Sequence, residues 1–142
     1  MAQIADRIAW AVETLDIQPN DHVLEIGCGH GVAVDLICQS LIDGRITAID
    51  RSEKMIEAAQ KRNKTHIAAG KAIFQATTLE KADFKDGMFN KIFAINVSLF
   101  WIEPAVISAI VKQYIVHGFT VREVLFKETE PIESACVIAM VS

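Results

Sequence analysis

The chain has 142 residues, 51 % apolar and 23 % charged, which suits one globular core and argues against disorder. Fourteen Lys and Arg against eighteen Asp and Glu leave a net charge of −4, whereas a general nucleic-acid binder carries a basic surplus. No apolar run approaches the roughly 18 residues of a membrane span, and the N-terminus carries Asp6 and no compact apolar stretch, so neither a span nor a signal peptide is expected. Cys28, Cys38 and Cys136 are odd in number and widely spaced. They form neither a disulfide framework nor a metal half-site, and free thiols in a cytoplasmic protein are the expectation.

The periodicity then alternates between helix and strand. Ile4, Ile8, Val12 and Leu15 recur every three or four residues and predict a helix over 2–16, followed by a turn at Gln18-Pro19-Asn20-Asp21. His22 to Ile26 is a short apolar run that ends at glycines, hence a buried strand. A helix over 32–42, a strand over 45–50 and a helix over 53–69 follow, the last with Ser52 as N-cap and Gly70 past its end. Strands three and four are expected over 71–77 and 91–97, with the turn Asp86-Gly87 between them. Glu103-Pro104 opens a helix that runs to 117, and strands over 119–128 and 134–141 close the chain. This alternation predicts an α/β fold, a doubly wound Rossmann-like sheet of about six strands, mostly parallel, with an antiparallel C-terminal strand. Residues 1–142 are read as a single domain.

The informative segment is Val23-Leu24-Glu25-Ile26-Gly27-Cys28-Gly29-His30-Gly31. A buried strand runs straight into three glycines, and a helix with free N–H groups begins behind them. In an open parallel sheet such a loop marks a ligand site at the carboxyl ends of the strands. A dinucleotide fingerprint needs glycine at position 32, where this chain has Val32, and no Lys-Ser/Thr follows for a phosphate loop. A nicotinamide-dependent oxidoreductase is therefore disfavoured. Asp50 ends the second strand, where a carboxylate can accept both hydroxyls of a ribose.

Loop, strand-two acid and the later turn occur in one order: Glu25 to Gly31, Asp50-Arg51-Ser52-Glu53-Lys54-Met55, and Phe84-Lys85-Asp86-Gly87-Met88-Phe89-Asn90. In these residues the chain resembles the class I S-adenosylmethionine-dependent methyltransferases. The resemblance covers about residues 20–101, and 118–141 look like that family's closing strand pair. It implies S-adenosylmethionine as cofactor and S-adenosylhomocysteine as product. It also implies that Gly27, Gly29 and the backbone of Cys28 line the methionine part, with Glu25 under the cofactor's amino end. Asp50 would hold the ribose, Arg51 and Met55 would flank the adenine, and Thr78 and Leu79 would meet the adenine edge. Asn96 would face the methionine and the transferred methyl. Thr78 stands where the family often has an acid.

The sulfonium is already an excellent leaving group, so transfer rests on near-attack geometry and no catalytic residue is named. None of His22, His30, His66 and His117 is assigned as a base. Phe100 and Trp101 lie just beyond strand four, where lining an acceptor pocket and packing in the core are equal readings. Strand four continues Asn96-Val97-Ser98-Leu99, unlike the Pro-Pro-aromatic run of enzymes that methylate nucleobase or glutamine nitrogens. With the acidic balance, this predicts a small-molecule acceptor and no nucleic-acid partner. A cofactor-binding relative with little or no turnover is the alternative. Only 20 residues, Ser98 to His117, separate strand four from Gly118, which accommodates one crossover and not two. The family's fifth strand is therefore expected to be missing. The expected sheet order is 3-2-1-4-6-5, the final strand antiparallel beside strand four, and a homodimer is one way to cover the exposed flank.

Overall fold

A computed structural model describes residues 2–85, 88–95 and 136–140. Helix α1 spans Ala2–Leu15, β1 His22–Ile26, α2 Val32–Cys38, β2 Arg45–Asp50, α3 Glu53–Arg62 and α4 Lys64–Ala68. Strand β3 spans Ala72–Ala76, β4 Lys91–Ile95 and β5 Cys136–Met140. The strands form one sheet in the order β3-β2-β1-β4-β5. The first four are mutually parallel, and β5 runs antiparallel beside β4 with Ile92 opposite Ala139. The α/β class, the parallel sheet and the antiparallel last strand agree with the sequence reading.

The alternation of side chains along the strands separates two cores. Val23, Ile46, Ala48 and Phe93 pack with Ala11 and Leu15 of α1, Val34 and Ile37 of α2, and Ile56 and Ala59 of α3. Leu24, Ile26, Ile49, Ile92 and Ala94 pack on the opposite face with Leu79 and Phe89. Phe84 meets Phe89 edge to face there, ring centroids 5.1 Å apart. Glu25 follows Val23 and Leu24 by the same alternation and so belongs with Val23 on the face covered by α2. Asp50 belongs with Ile46 and Ala48 on that face of β2.

Two expectations are corrected, both on helix bounds. The described residues give five strands of the about six expected. The expected strand over 119–128 lies outside the described residues, as do the helix over 104–117, Phe100, Trp101 and the segment from which the family's fifth strand would be missing. The helix predicted over 32–42 ends at Cys38. Beyond it the chain turns to bury Leu41, and the Ile42 and Gly44 amides donate to the Pro19 carbonyl at 2.9 Å each. Gly44 lies so close to the preceding turn that a Cβ there would stand 2.3 Å from the Asp21 carbonyl oxygen. The single helix predicted over 53–69 is broken at Asn63 (φ −104, ψ 21), whose side chain is drawn inward. The predicted ends hold: Ser52 caps α3 through Oγ, which accepts from the Met55 amide, and Gly70 follows α4 at φ +75.

Candidate functional site at the carboxyl edge of the sheet

The strand order places the ends of β3, β2 and β1 side by side, with Ile26 opposite Ile49 and Asp50 opposite Ala76. The glycine loop leaves β1 there. The Gly27 and Cys28 amides both donate to the Ile49 carbonyl, at 2.8 and 3.0 Å, which folds the loop over the end of β2. Gly31 donates to the Cys28 carbonyl at 3.0 Å and closes the turn. Gly27, Gly29 and Gly31 all have positive φ (72, 53 and 78), a region that glycine enters without the Cβ penalty. Their surroundings differ. A Cβ on Gly29 would meet nothing within 4 Å, whereas one on Gly31 would stand 2.6 Å from Asn63 Nδ2 and 3.0 Å from Ala59 Cβ. Gly29 faces open space, and Gly31 is a packing glycine against α3.

Asp50 holds this loop. Its Oδ2 accepts from the Gly29 amide and its Oδ1 from the Ser52 amide, each at 2.9 Å. One carboxylate thereby joins the glycine loop to the turn that starts α3. A carboxylate offers about four acceptor sites, so two bonds leave capacity for further donors. Glu25 lies behind the loop, 3 % exposed, and its Oε1 has no hydrogen-bond partner. Burial and then the neighbouring Asp50 charge push its carboxyl up to about 8. The same burial and the two acids push the Cys28 thiol up, which keeps it protonated and unreactive.

The other predicted residues distribute around this pair. Arg51 is exposed, and Met55 is 36 % exposed on the first turn of α3. Thr78 is half-buried past the end of β3, and its Oγ1 accepts from the Lys81 amide at 3.3 Å. The Thr77 amide reaches the Asp50 carbonyl at 3.0 Å, which ties this segment to the end of β2. Leu79 is 8 % exposed with its side chain in the second core. Asn96 lies outside the described residues. Thus nine of the ten predicted residues fall on one edge of the sheet or directly behind it. Two roles were missed. Asn63 grips the loop from the end of α3, and an asparagine within a predicted helix was the available signal. Asp50 braces the loop, which spacing alone does not reveal.

Residues 23–116 match the methyltransferase domain family. The chain belongs to this family. The family is that of the class I S-adenosylmethionine-dependent methyltransferases, and S-adenosylmethionine is its cofactor. YrhH of Bacillus subtilis, named as a methyltransferase, is 32 % identical over 85 residues, 60 % of this chain and 46 % of that one. A malonyl-[acyl-carrier protein] O-methyltransferase of Priestia megaterium is 48 % identical over 40 residues, 28 % of this chain and 15 % of its own length. The chain thus spans less than half the length of these curated relatives. Among solved structures, a magnesium protoporphyrin IX methyltransferase of Synechocystis with bound S-adenosylmethionine superposes with a TM-score of 0.63. That alignment covers 99 % of this chain and 79 % of the other at 18 % identity, a likeness of fold.

Proposed function

We propose that this methyltransferase domain, read as one unit over residues 1–142, binds S-adenosylmethionine across the carboxyl ends of β1, β2 and β3 and methylates a small-molecule acceptor. The observation that carries the binding reading is the Gly29–Asp50 bond, which joins the loop to the strand-two acid beneath open space at Gly29. The residues fit the cofactor. Glu25 supplies a buried, unpartnered acceptor of the kind an ammonium group completes, and an adjacent cation would favour its ionised form. Gly27, Gly29 and the backbone of Cys28 offer an approach free of side chains for the methionine part. Asp50 has acceptor capacity for ribose hydroxyls, and Arg51 with the exposed face of Met55 can flank the adenine. At the adenine edge Thr78 brings its hydroxyl, and Leu79, its side chain in the core, contributes through its main chain. Asn96, next after Ile95 of β4, is assigned to the methionine side.

The cofactor supplies a methyl on a sulfonium, a leaving group that needs no acid from the protein. The chain's own task is to hold methyl and nucleophile in line and to exclude water. Two sequence features support a small acceptor: the net charge of −4 and the Asn96-Val97-Ser98-Leu99 run after strand four. Calorimetric titration with S-adenosylmethionine, S-adenosylhomocysteine and NAD tests the site; the first two should bind and NAD should not. Release of S-adenosylhomocysteine on a panel of small hydroxyl, amine and thiol acceptors tests turnover. Binding without release on any of them, or release only with RNA or protein, would overturn the acceptor reading.

A further inference from the structure

Asn63 is 1 % exposed and stands at the break between α3 and α4. Its Nδ2 donates to the Gly31 carbonyl at 3.0 Å and to the Ala59 carbonyl at 2.9 Å, while its Oδ1 is buried with no partner. An unsatisfied buried acceptor is unfavourable. Packing alone would be served better by an aliphatic side chain of similar size. What an aliphatic side chain cannot do is hold the Gly31 carbonyl.

That carbonyl is a strategic one. Gly31 is the N-cap of α2 in the left-handed region and has no side chain with which to cap. Its carbonyl also accepts the first bond of α2, from the Asp35 amide at 3.2 Å, and its amide closes the turn onto Cys28. Gly29, the residue bonded to Asp50, lies inside that turn. A second contact fixes the same place: His66 Nε2 of α4 meets Asp35 Oδ1 of α2 at 2.7 Å. The α3–α4 corner therefore grips the start of α2 at two points, and Asn63 is the one that reaches the glycine loop itself.

We infer that Asn63 is a positioning residue for cofactor binding, holding the loop in the conformation that presents Gly29 and Asp50. This rests on the reading that the loop holds S-adenosylmethionine; Asn63 acts through Gly31 and touches no ligand. Its test compares the full chain with Asn63→Leu, Asn63→Asp and a core control, Ile46→Val, buried at the amino end of β2. S-adenosylhomocysteine affinity is measured by calorimetry below the unfolding range of each variant. Exchange of the Gly29 amide is followed by NMR without ligand. Asn63→Leu should weaken binding at least tenfold and speed Gly29 exchange at least tenfold, with Ile46→Val within twofold of the parent in both.

Asn63→Asp gives a signature that a general packing role would not. As a carboxylate it repels the Gly31 carbonyl, and once protonated it can donate one O–H to it. Its affinity relative to the parent should therefore recover between pH 8 and pH 5. This variant also serves if Asn63→Leu does not fold. Unchanged affinity and Gly29 exchange in a folded Asn63→Leu, equal losses in the Ile46→Val control, or a pH-independent ratio for Asn63→Asp would each overturn the inference. A parent that binds no S-adenosylhomocysteine would overturn the functional reading instead, and Gly29 exchange would still score the hold on the loop.

Discussion

Asp50 braces the Gly29 and Ser52 amides with one carboxylate, and the proposed function gives the same carboxylate the ribose to hold. Asp50→Ala should therefore cost both stability and affinity. Two charge-assisted bonds to backbone amides are lost, for an expected destabilisation of about 1–3 kcal/mol. S-adenosylhomocysteine should bind at least tenfold more weakly, since the loop is released as well as the contact. Urea unfolding and calorimetry on the same protein check this; full affinity with lost stability would make Asp50 a brace only. Glu25 gives a pH dependence. Burial and the neighbouring Asp50 charge push its folded carboxyl up to about 8 from an ordinary value of about 4.5. The unfolded chain thus ionises first, so the folded state is favoured most below pH 4.5 and loses this advantage as pH rises towards 8. In that window the parent should lose about 1.4 kcal/mol per pH unit relative to Glu25→Gln, which has no proton to release. Unfolding free energies of both proteins at pH 5, 6, 7 and 8 measure the difference. Parallel curves would show that this carboxyl is not held neutral by burial.

The elements were legible to different depths, for physical reasons. Strand β1 and its loop were legible because burial on both faces keeps Val23, Leu24 and Ile26 apolar around the single acid Glu25, and glycine stands at each positive-φ position of the turn. Helix ends were legible where a local device sets them, as at Ser52 and Gly70. They were not where a distant partner does. Cys38 ends α2 because the following turn bonds to Pro19, and Asn63 divides α3 from α4 because its side chain bonds to Gly31. The glycine loop and Asp50 could be read from the residues themselves and the other carboxyl-edge residues from the family resemblance, but the bonds among them depend on strand register. The α2–α3 contact at Gly31 is a test of that tertiary layer. Gly31→Ala puts a Cβ 2.6 Å from Asn63 Nδ2 and 3.0 Å from Ala59 Cβ, at φ +78. Because both neighbours are themselves buried, relief requires α3 to move. The expected loss is about 2–4 kcal/mol in chemical unfolding. A near-parental value would mean that α2 and α3 can separate without cost.

At the scale of the whole molecule, the two edges of the sheet are built differently. The amino edge is closed by its own bonds. Asn90 and His22 exchange two hydrogen bonds of 2.7 Å, Lys91 pairs with Asp21 at 2.7 Å, and Asp21 also accepts from the Gln18 and Arg45 amides. Among the described residues, no buried side-chain polar atom at this edge lacks a partner. The carboxyl edge holds the open space at Gly29 and the unpartnered Glu25 oxygen. A ligand should therefore perturb one edge only. Titration with S-adenosylhomocysteine should shift amide resonances of Gly27 to Gly31, Ser52 and Thr77 to Leu79, and leave His22, Arg45 and Asn90 in place. Because only the folded chain carries this edge, the ligand must also raise the melting temperature. At a hundred times Kd the gain is about 2.7 kcal/mol, roughly 6–12 °C for a domain of this size. Shifts centred on the amino edge would place the site elsewhere on the molecule. A melting temperature unmoved at millimolar ligand would mean that the carboxyl edge, for all its open geometry, holds no cofactor.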